Sequence, residues 1–99
     1  MTAKTVTVIA HIKVISGMEE TFKQEFQSIV SLTRKEAGCI NYDLHQAADN
    51  PSLFLLYENW ESQAALDKHL AMPYIQSLGE KGVGILAEPP NVTFWKRTL

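Results

Sequence analysis

Leu53-Phe54-Leu55-Leu56-Tyr57-Glu58-Asn59-Trp60 is the stretch whose periodicity decides how this chain folds. Read as a strand, it sends Leu53, Leu55 and Tyr57 to one side and Phe54, Leu56 and Trp60 to the other, so both faces carry apolar bulk. Such a strand belongs in a sheet covered above and below. Before it, Asp49-Asn50-Pro51-Ser52 is a turn signal. Cys39 to Gln46 alternates again, with Ile40, Tyr42 and Leu44 set against Asn41, Asp43 and His45. The two runs and their turn predict a hairpin.

Residues 5 to 15 are rich in β-branched side chains and place Val6, Val8, Ala10, Ile12 and Val14 on one face, as a strand demands. The other face is mixed: Thr5, Thr7, Ile9, His11, Lys13 and Ile15. Ser16-Gly17-Met18-Glu19 then reads as a capping box. A helix should follow, with Met18, Phe22, Phe26, Ile29 and Thr33 as its core-facing stripe and Gly38 as the residue that closes it. Past Trp60, Ser62 is the expected N-cap of a second helix through about Leu70, and Pro73 opens a third helical segment toward Lys81. Gly79, Gly82 and Gly84 loosen its end. Glu88-Pro89-Pro90 leads into a last strand over Asn91 to Lys96.

Strand, helix, strand, strand, helix, strand is the order of an α+β, ferredoxin-like split βαβ fold: an antiparallel four-stranded sheet with helices on one face. One domain over residues 1–99 is expected. In the last strand Val92 and Phe94 oppose Thr93 and Trp95, so the sheet is apolar on both faces while the helices cover one. Half a dozen large apolar side chains left wet would forgo roughly 10 kcal/mol, comparable with the net stability of a small domain. An identical sheet under two-fold symmetry is the natural cover, and a homodimer is predicted.

The formal charge of -2 and nine scattered Lys and Arg residues give no basic stripe, so nucleic acid is not an expected partner. No apolar run approaches the roughly 20 residues a membrane-spanning helix needs, and no membrane partner is expected. A single cysteine, Cys39, excludes an internal disulfide, and the N-terminus lacks a signal-peptide pattern, which together point to the cytoplasm.

The three histidines, His11, His45 and His69, show no helical metal-pair spacing, and no metal site is predicted. Gly82-Val83-Gly84 follows a helix instead of a strand, the wrong context for a phosphate cradle. The serines lack a nucleophile elbow, and Cys39 has no sequence-local base. His69 stands apart. It shares a helix face with Leu66 and Leu70, where an imidazole can accept a proton near physiological pH or simply pack in the core. Glu58, mid-strand among apolar neighbours, needs a partner such as His69 or Lys13, or a wet cavity. Trp60, Tyr42, Tyr57 and Tyr74 are core aromatics or the walls of a site for a flat ligand.

The run Gly38-Cys39-Ile40-Asn41-Tyr42, the Asn50-Pro51 turn, Phe54, Glu58, Trp60, Ala65 and His69 together resemble the antibiotic biosynthesis monooxygenase family. The resemblance spans nearly the whole chain and is densest from Glu36 to Tyr74. It implies a dimeric α+β barrel of two ferredoxin-like protomers. It further implies a monooxygenase that oxidises a phenolic or quinol-type small molecule with dioxygen and no metal or flavin cofactor. On that basis His69 is expected as base or donor, Tyr42 and Asn59 as donors to the substrate anion, and Trp60, Phe54, Glu58 and Tyr74 as substrate-binding residues. The same superfamily holds haem degraders, from which this chain departs: residues 73–82 contain no histidine, and the first strand has Ala10 and His11 where an amide would be wanted. An isomerase or degrader of a small oxygenated metabolite, of the signalling-sugar type, and a non-catalytic ligand-binding dimer are the alternatives.

Overall fold

The computed structural model describes residues 4–99, so Met1 to Ala3, on which part of the leader reading rests, lie outside it. Strand β1 (Val6–Lys13) leads into helix α1 (Glu19–Arg34), then the hairpin of β2 (Cys39–Ala47) and β3 (Asn50–Trp60). Helix α2 (Gln63–Leu70), two short helices, α3 (Pro73–Gln76) and α4 (Leu78–Lys81), and strand β4 (Asn91–Trp95) complete the chain. The sheet runs β2-β3-β1-β4, with every neighbouring pair antiparallel. This is the ferredoxin-like order expected for a split βαβ chain. Among the described residues, no helix is long and apolar enough to cross a membrane.

One face of the sheet is the core. Val8, Ala10 and Ile12 of β1 and Phe54, Leu56 and Trp60 of β3 are buried there beneath Phe22, Phe26, Ile29 and Thr33 of α1. The rings of Phe22 and Phe54 lie 4.8 Å apart, and those of Phe26 and Tyr42 6.2 Å apart, so α1 is seated along the hairpin by aromatic contacts. Leu53 and Tyr57 of β3 and Trp95 of β4 stay exposed on the opposite face.

Local details depart from the sequence expectations in four places. The helix starts at Glu19 with Met18 as its N-cap and no side-chain cap. Ser16 takes no part. The Glu19 carboxylate does fold back, accepting from the Gly17 amide at 2.8 Å and from the Ser52 hydroxyl at 2.8 Å, which ties the helix start to β3. Helix α1 already ends at Arg34, and Gly38 sits beyond it, in the turn into β2. Ile40 does not share the buried face with Tyr42: a bulge between Cys39 and Asn41 makes it the extra residue, 55% exposed. The segment from Pro73 is broken at Ser77 into two helices of four residues each.

The turn that Gly38 makes positions the second helix. Its φ of +88° is a left-handed conformation that side chains disfavour, and a Cβ there would stand 2.5 Å from the Cβ of Ala65 in α2. The Gly38 carbonyl also accepts the Glu61 amide at 2.8 Å, just ahead of the N-cap Ser62, whose hydroxyl accepts from the Ala65 amide at 3.1 Å. Helix α2 is thus held against bare backbone. Gly38→Ala is expected to destabilise the protein by at least about 2 kcal/mol, from backbone strain and overpacking. Adding Ala65→Gly should recover part of that loss. A double-mutant cycle by urea denaturation checks this, and additive losses would show that the two elements do not bear on each other.

Candidate active site

Four residues beyond Ala65, one helical turn on, His69 falls on the same side of α2 and is 2% exposed. Its ring lies 4.5 Å from the Trp60 ring and 5.4 Å, edge-on, from the Tyr42 ring. Its Nδ1 is 2.9 Å from Oε2 of Glu36, and the Tyr74 hydroxyl donates to the same oxygen. Glu36 lies in the short connection between α1 and β2. There its amide bonds the Thr33 carbonyl and its carbonyl accepts from the Cys39 amide, so the carboxylate projects from backbone fixed on both sides.

Glu58, two residues before Trp60 on the same strand face, is 5% exposed and its Oε1 accepts from the indole Nε1 of Trp60 at 2.9 Å. Burial pushes its pKa up to about 7. The Trp60 hydrogen bond opposes that rise, and the nearby Glu36 carboxylate adds to it. Burial, with Glu58 close by, also raises the Tyr42 phenol above its usual range, so it remains a hydroxyl at neutral pH. Tyr74 is pushed up to about 12 by burial and by its bond to Glu36. The Cys39 thiol rises to about 11 through burial and then the Glu36 and Glu58 charges. It is therefore a thiol, not a reactive thiolate.

His69, Tyr42 and Glu58 open onto a cleft of about 670 Å³ bounded by the core face of the sheet, helix α1, helices α2 to α4 and the linker after them. The two four-residue helices contribute Ile75, Leu78, Gly79 and Lys81 to its lining. Val92 and Phe94 of β4 form part of its wall instead of packing in a closed core. The linker is anchored by two hydrogen bonds of 2.8 Å, from the Ile15 amide to the Ile85 carbonyl and from the Ala87 amide to the Lys13 carbonyl. Apolar walls with a few convergent polar groups define a small-molecule site.

The structure brings together some of the residues singled out from sequence and separates others. Trp60 is wholly buried and backs His69, while Phe54 packs under Phe22. Tyr74 is tied to Glu36 through its hydroxyl. Asn59 lies on the far face of the sheet, accepting from the Thr7 hydroxyl and donating to Asn41 at 2.8 Å, so it cannot reach this cleft. Glu58 is paired with Trp60, and neither His69 nor Lys13 is its partner. His11 and His45 both stand opposite Leu55, from the two strands flanking β3 on the outer face, away from Glu58. Glu36 escaped the sequence reading. A carboxylate just past a helix end is ordinary surface chemistry, and only the closure of α2 over the Gly38 turn reveals its partner.

Sheet order and helix layer define a small α+β domain of ferredoxin topology, with an acid–imidazole pair at its cleft. Comparison with known proteins gives the class a name: residues 5–81 match the profile of antibiotic biosynthesis monooxygenase, and the chain belongs to that family. It is 34% identical over 83 residues to YcnE of Bacillus subtilis, which carries a provisional monooxygenase name, covering 84% of this chain and 87% of that one. An uncharacterized Synechocystis protein, sll1783, is 33% identical over 91 residues, 92% of this chain; the chain spans 62% of that relative's length. The crystal structure of PA3566 from Pseudomonas aeruginosa superposes with a TM-score of 0.89 at 28% identity, covering 100% of this chain and 99% of that one.

The raised Glu58 has a consequence for stability. A carboxyl whose pKa goes from 4.5 to about 7 on folding binds more protons in the folded state, so its contribution is full below 4.5 and is lost as pH rises through about 7. Thermal unfolding across pH 4.5 to 8 should show the wild type weakening over that window and Glu58→Gln largely freed of the trend. An unchanged slope in the variant would assign the effect elsewhere.

Proposed function

We propose that this protein is a cofactor-independent monooxygenase acting on a phenolic or quinol-type small molecule, as a homodimer in the cytoplasm. The observation that carries the proposal is the apolar cleft of about 670 Å³ with His69, Tyr42 and Glu58 on its wall. A flat aromatic body suits the greasy walls, and a single hydroxyl suits the polar end. A phosphorylated sugar fits poorly: Lys81 is the cation among the lining residues, against the carboxylates Glu25 and Glu88.

With Nδ1 engaged by Glu36, Nε2 of His69 is the ring nitrogen left to take the phenolic proton. The Tyr42 hydroxyl, held protonated by burial, donates to the phenolate oxygen. The anion passes one electron to dioxygen, and the phenoxyl radical and superoxide recombine with a new carbon–oxygen bond. The imidazolium returns its proton to the resulting peroxide. Loss of the proton on the oxygenated carbon then expels hydroxide, and the two combine as water. Phenol plus dioxygen gives quinone plus water, with the substrate as the source of electrons. Dry walls protect the radical pair from solvent.

The exposed Leu53, Tyr57 and Trp95 on the outer sheet face support the dimer. The lone Cys39 fits a reducing compartment. In an oxygen electrode, polycyclic phenols and quinols should drive uptake matched one to one by quinone, and His69→Ala should slow turnover about 10²–10⁴-fold. Uptake that survives His69→Ala, or none with any such substrate, overturns the enzymatic assignment. Sedimentation at micromolar concentration should give twice the subunit mass, and a single subunit there would remove the dimer.

A further inference from the structure

We propose that Glu36 is a positioning residue: its carboxylate fixes His69 as the Nδ1–H tautomer and so presents Nε2 to the cleft, with Tyr74 gripping the same carboxylate oxygen. This deepens the function proposed above and rests on it only for the catalytic consequence.

The geometry sets the donor and acceptor roles. A carboxylate oxygen only accepts, so the Nδ1 held 2.9 Å from Glu36 Oε2 is the donor, and a neutral imidazole that donates from Nδ1 keeps its lone pair on Nε2. Both partners are shielded from competing water, with side chains 3% and 10% exposed. Water does not scramble the tautomer there. The Tyr74 phenol converges on the same oxygen, which stops the carboxylate from rotating away and offering its other edge. The ring itself is caught between Trp60 and Tyr42, so it cannot flip to exchange its nitrogens without displacing buried aromatics. An imidazole with the other tautomer would point a proton at a phenolic hydroxyl and could not remove the substrate's proton.

Tyr74 therefore serves the site from behind, as a clamp on Glu36. Tyr74→Phe should loosen the carboxylate while leaving its contact with Nδ1 in place, and Glu36→Ala should abolish the constraint. Neither change touches the walls of the cleft.

The test is long-range ¹H–¹⁵N correlation NMR on histidine-labelled protein near neutral pH, with His69 assigned by its loss in His69→Ala. Expected is a protonated Nδ1 and a bare Nε2 for His69 in the wild type, and a shift toward the Nε2–H form in Glu36→Ala. Should that variant fail to fold, the wild-type tautomer still decides, because an Nε2–H signal there overturns the proposal. An unchanged tautomer in a folded Glu36→Ala protein also overturns it. On any substrate that drives oxygen uptake, Glu36→Ala should lower kcat about 10²-fold with KM within a few-fold; a rise in KM at constant kcat overturns positioning. A wild type with the Nδ1–H form but no oxygen uptake sinks the oxidation and spares Glu36. Uptake that depends on His69 with an Nε2–H ring does the reverse.

Discussion

The contact on which the site depends is the one between a turn without a side chain and a helix that leans on it. With Gly38 at φ +88° and no Cβ, α2 approaches until Ala65 would collide with any substituent on Gly38. That distance sets the height of His69 above the hairpin, one turn further along the same helix face. A helix displaced by a methyl group's radius would draw the imidazole out of reach of Glu36, because a hydrogen bond of 2.9 Å weakens steeply when stretched past about 3.5 Å. Bonding of the Glu61 amide to the Gly38 carbonyl, followed at once by the Ser62 cap, removes the remaining freedom at the start of α2. Backbone chemistry thus locates the helix that carries His69.

Around that fixed point the protein buries an imidazole and two carboxyls, which is costly unless each finds a partner. Glu36 is met by two donors, His69 and Tyr74. Glu58 has one, the Trp60 indole, and burial answers the shortfall by favouring the protonated acid, pushing its pKa up to about 7. The two carboxyls therefore differ in kind: one acts as the hydrogen-bond acceptor that anchors the imidazole, the other changes protonation near neutrality on the wall of the cleft. Divergent environments for neighbouring titratable groups are how a single site comes to hold separate acid and base roles.

The architecture was legible because its signals are local. Period-two alternation from Val6 to Val14, the Ser62 cap and Pro73 at a helix start each depend on a few adjacent residues, and the structure keeps all of them. The failures needed information from elsewhere in the chain. Ile40 reads as a core residue until the bulge against β3 is seen, and Ser16 reads as a cap until Glu19 is found bonded to Gly17 and Ser52. His69, Tyr42 and Glu58 were recoverable as the polar members of apolar faces. Asn59 is a donor only by the family resemblance, and period two already sends it to the opposite side of the sheet from Trp60. Glu36 had no local mark, since its role exists only after α2 has folded back on the hairpin.

Two surpluses of apolar surface remain in this fold, and their shapes argue for different occupants. The outer face of the sheet is broad and carries Tyr57 and Trp95 beside a ladder of side-chain hydrogen bonds running Thr7, Asn59, Asn41, Asp43. Those four side chains are spent on one another, so this part of the face can meet another protein surface without stranding their donors. The cleft is concave, and its lining includes the buried Glu58 and His69 and the Tyr42 phenol, none of which is fully occupied by the protein's own bonds. Uncommitted hydrogen-bonding capacity on a concave apolar wall favours a small guest with one or two polar atoms over a protein surface. The same chain therefore contrasts its two faces: a ladder of side chains bonded to one another on the broad outer face, and spare hydrogen-bonding capacity on the wall of the cleft.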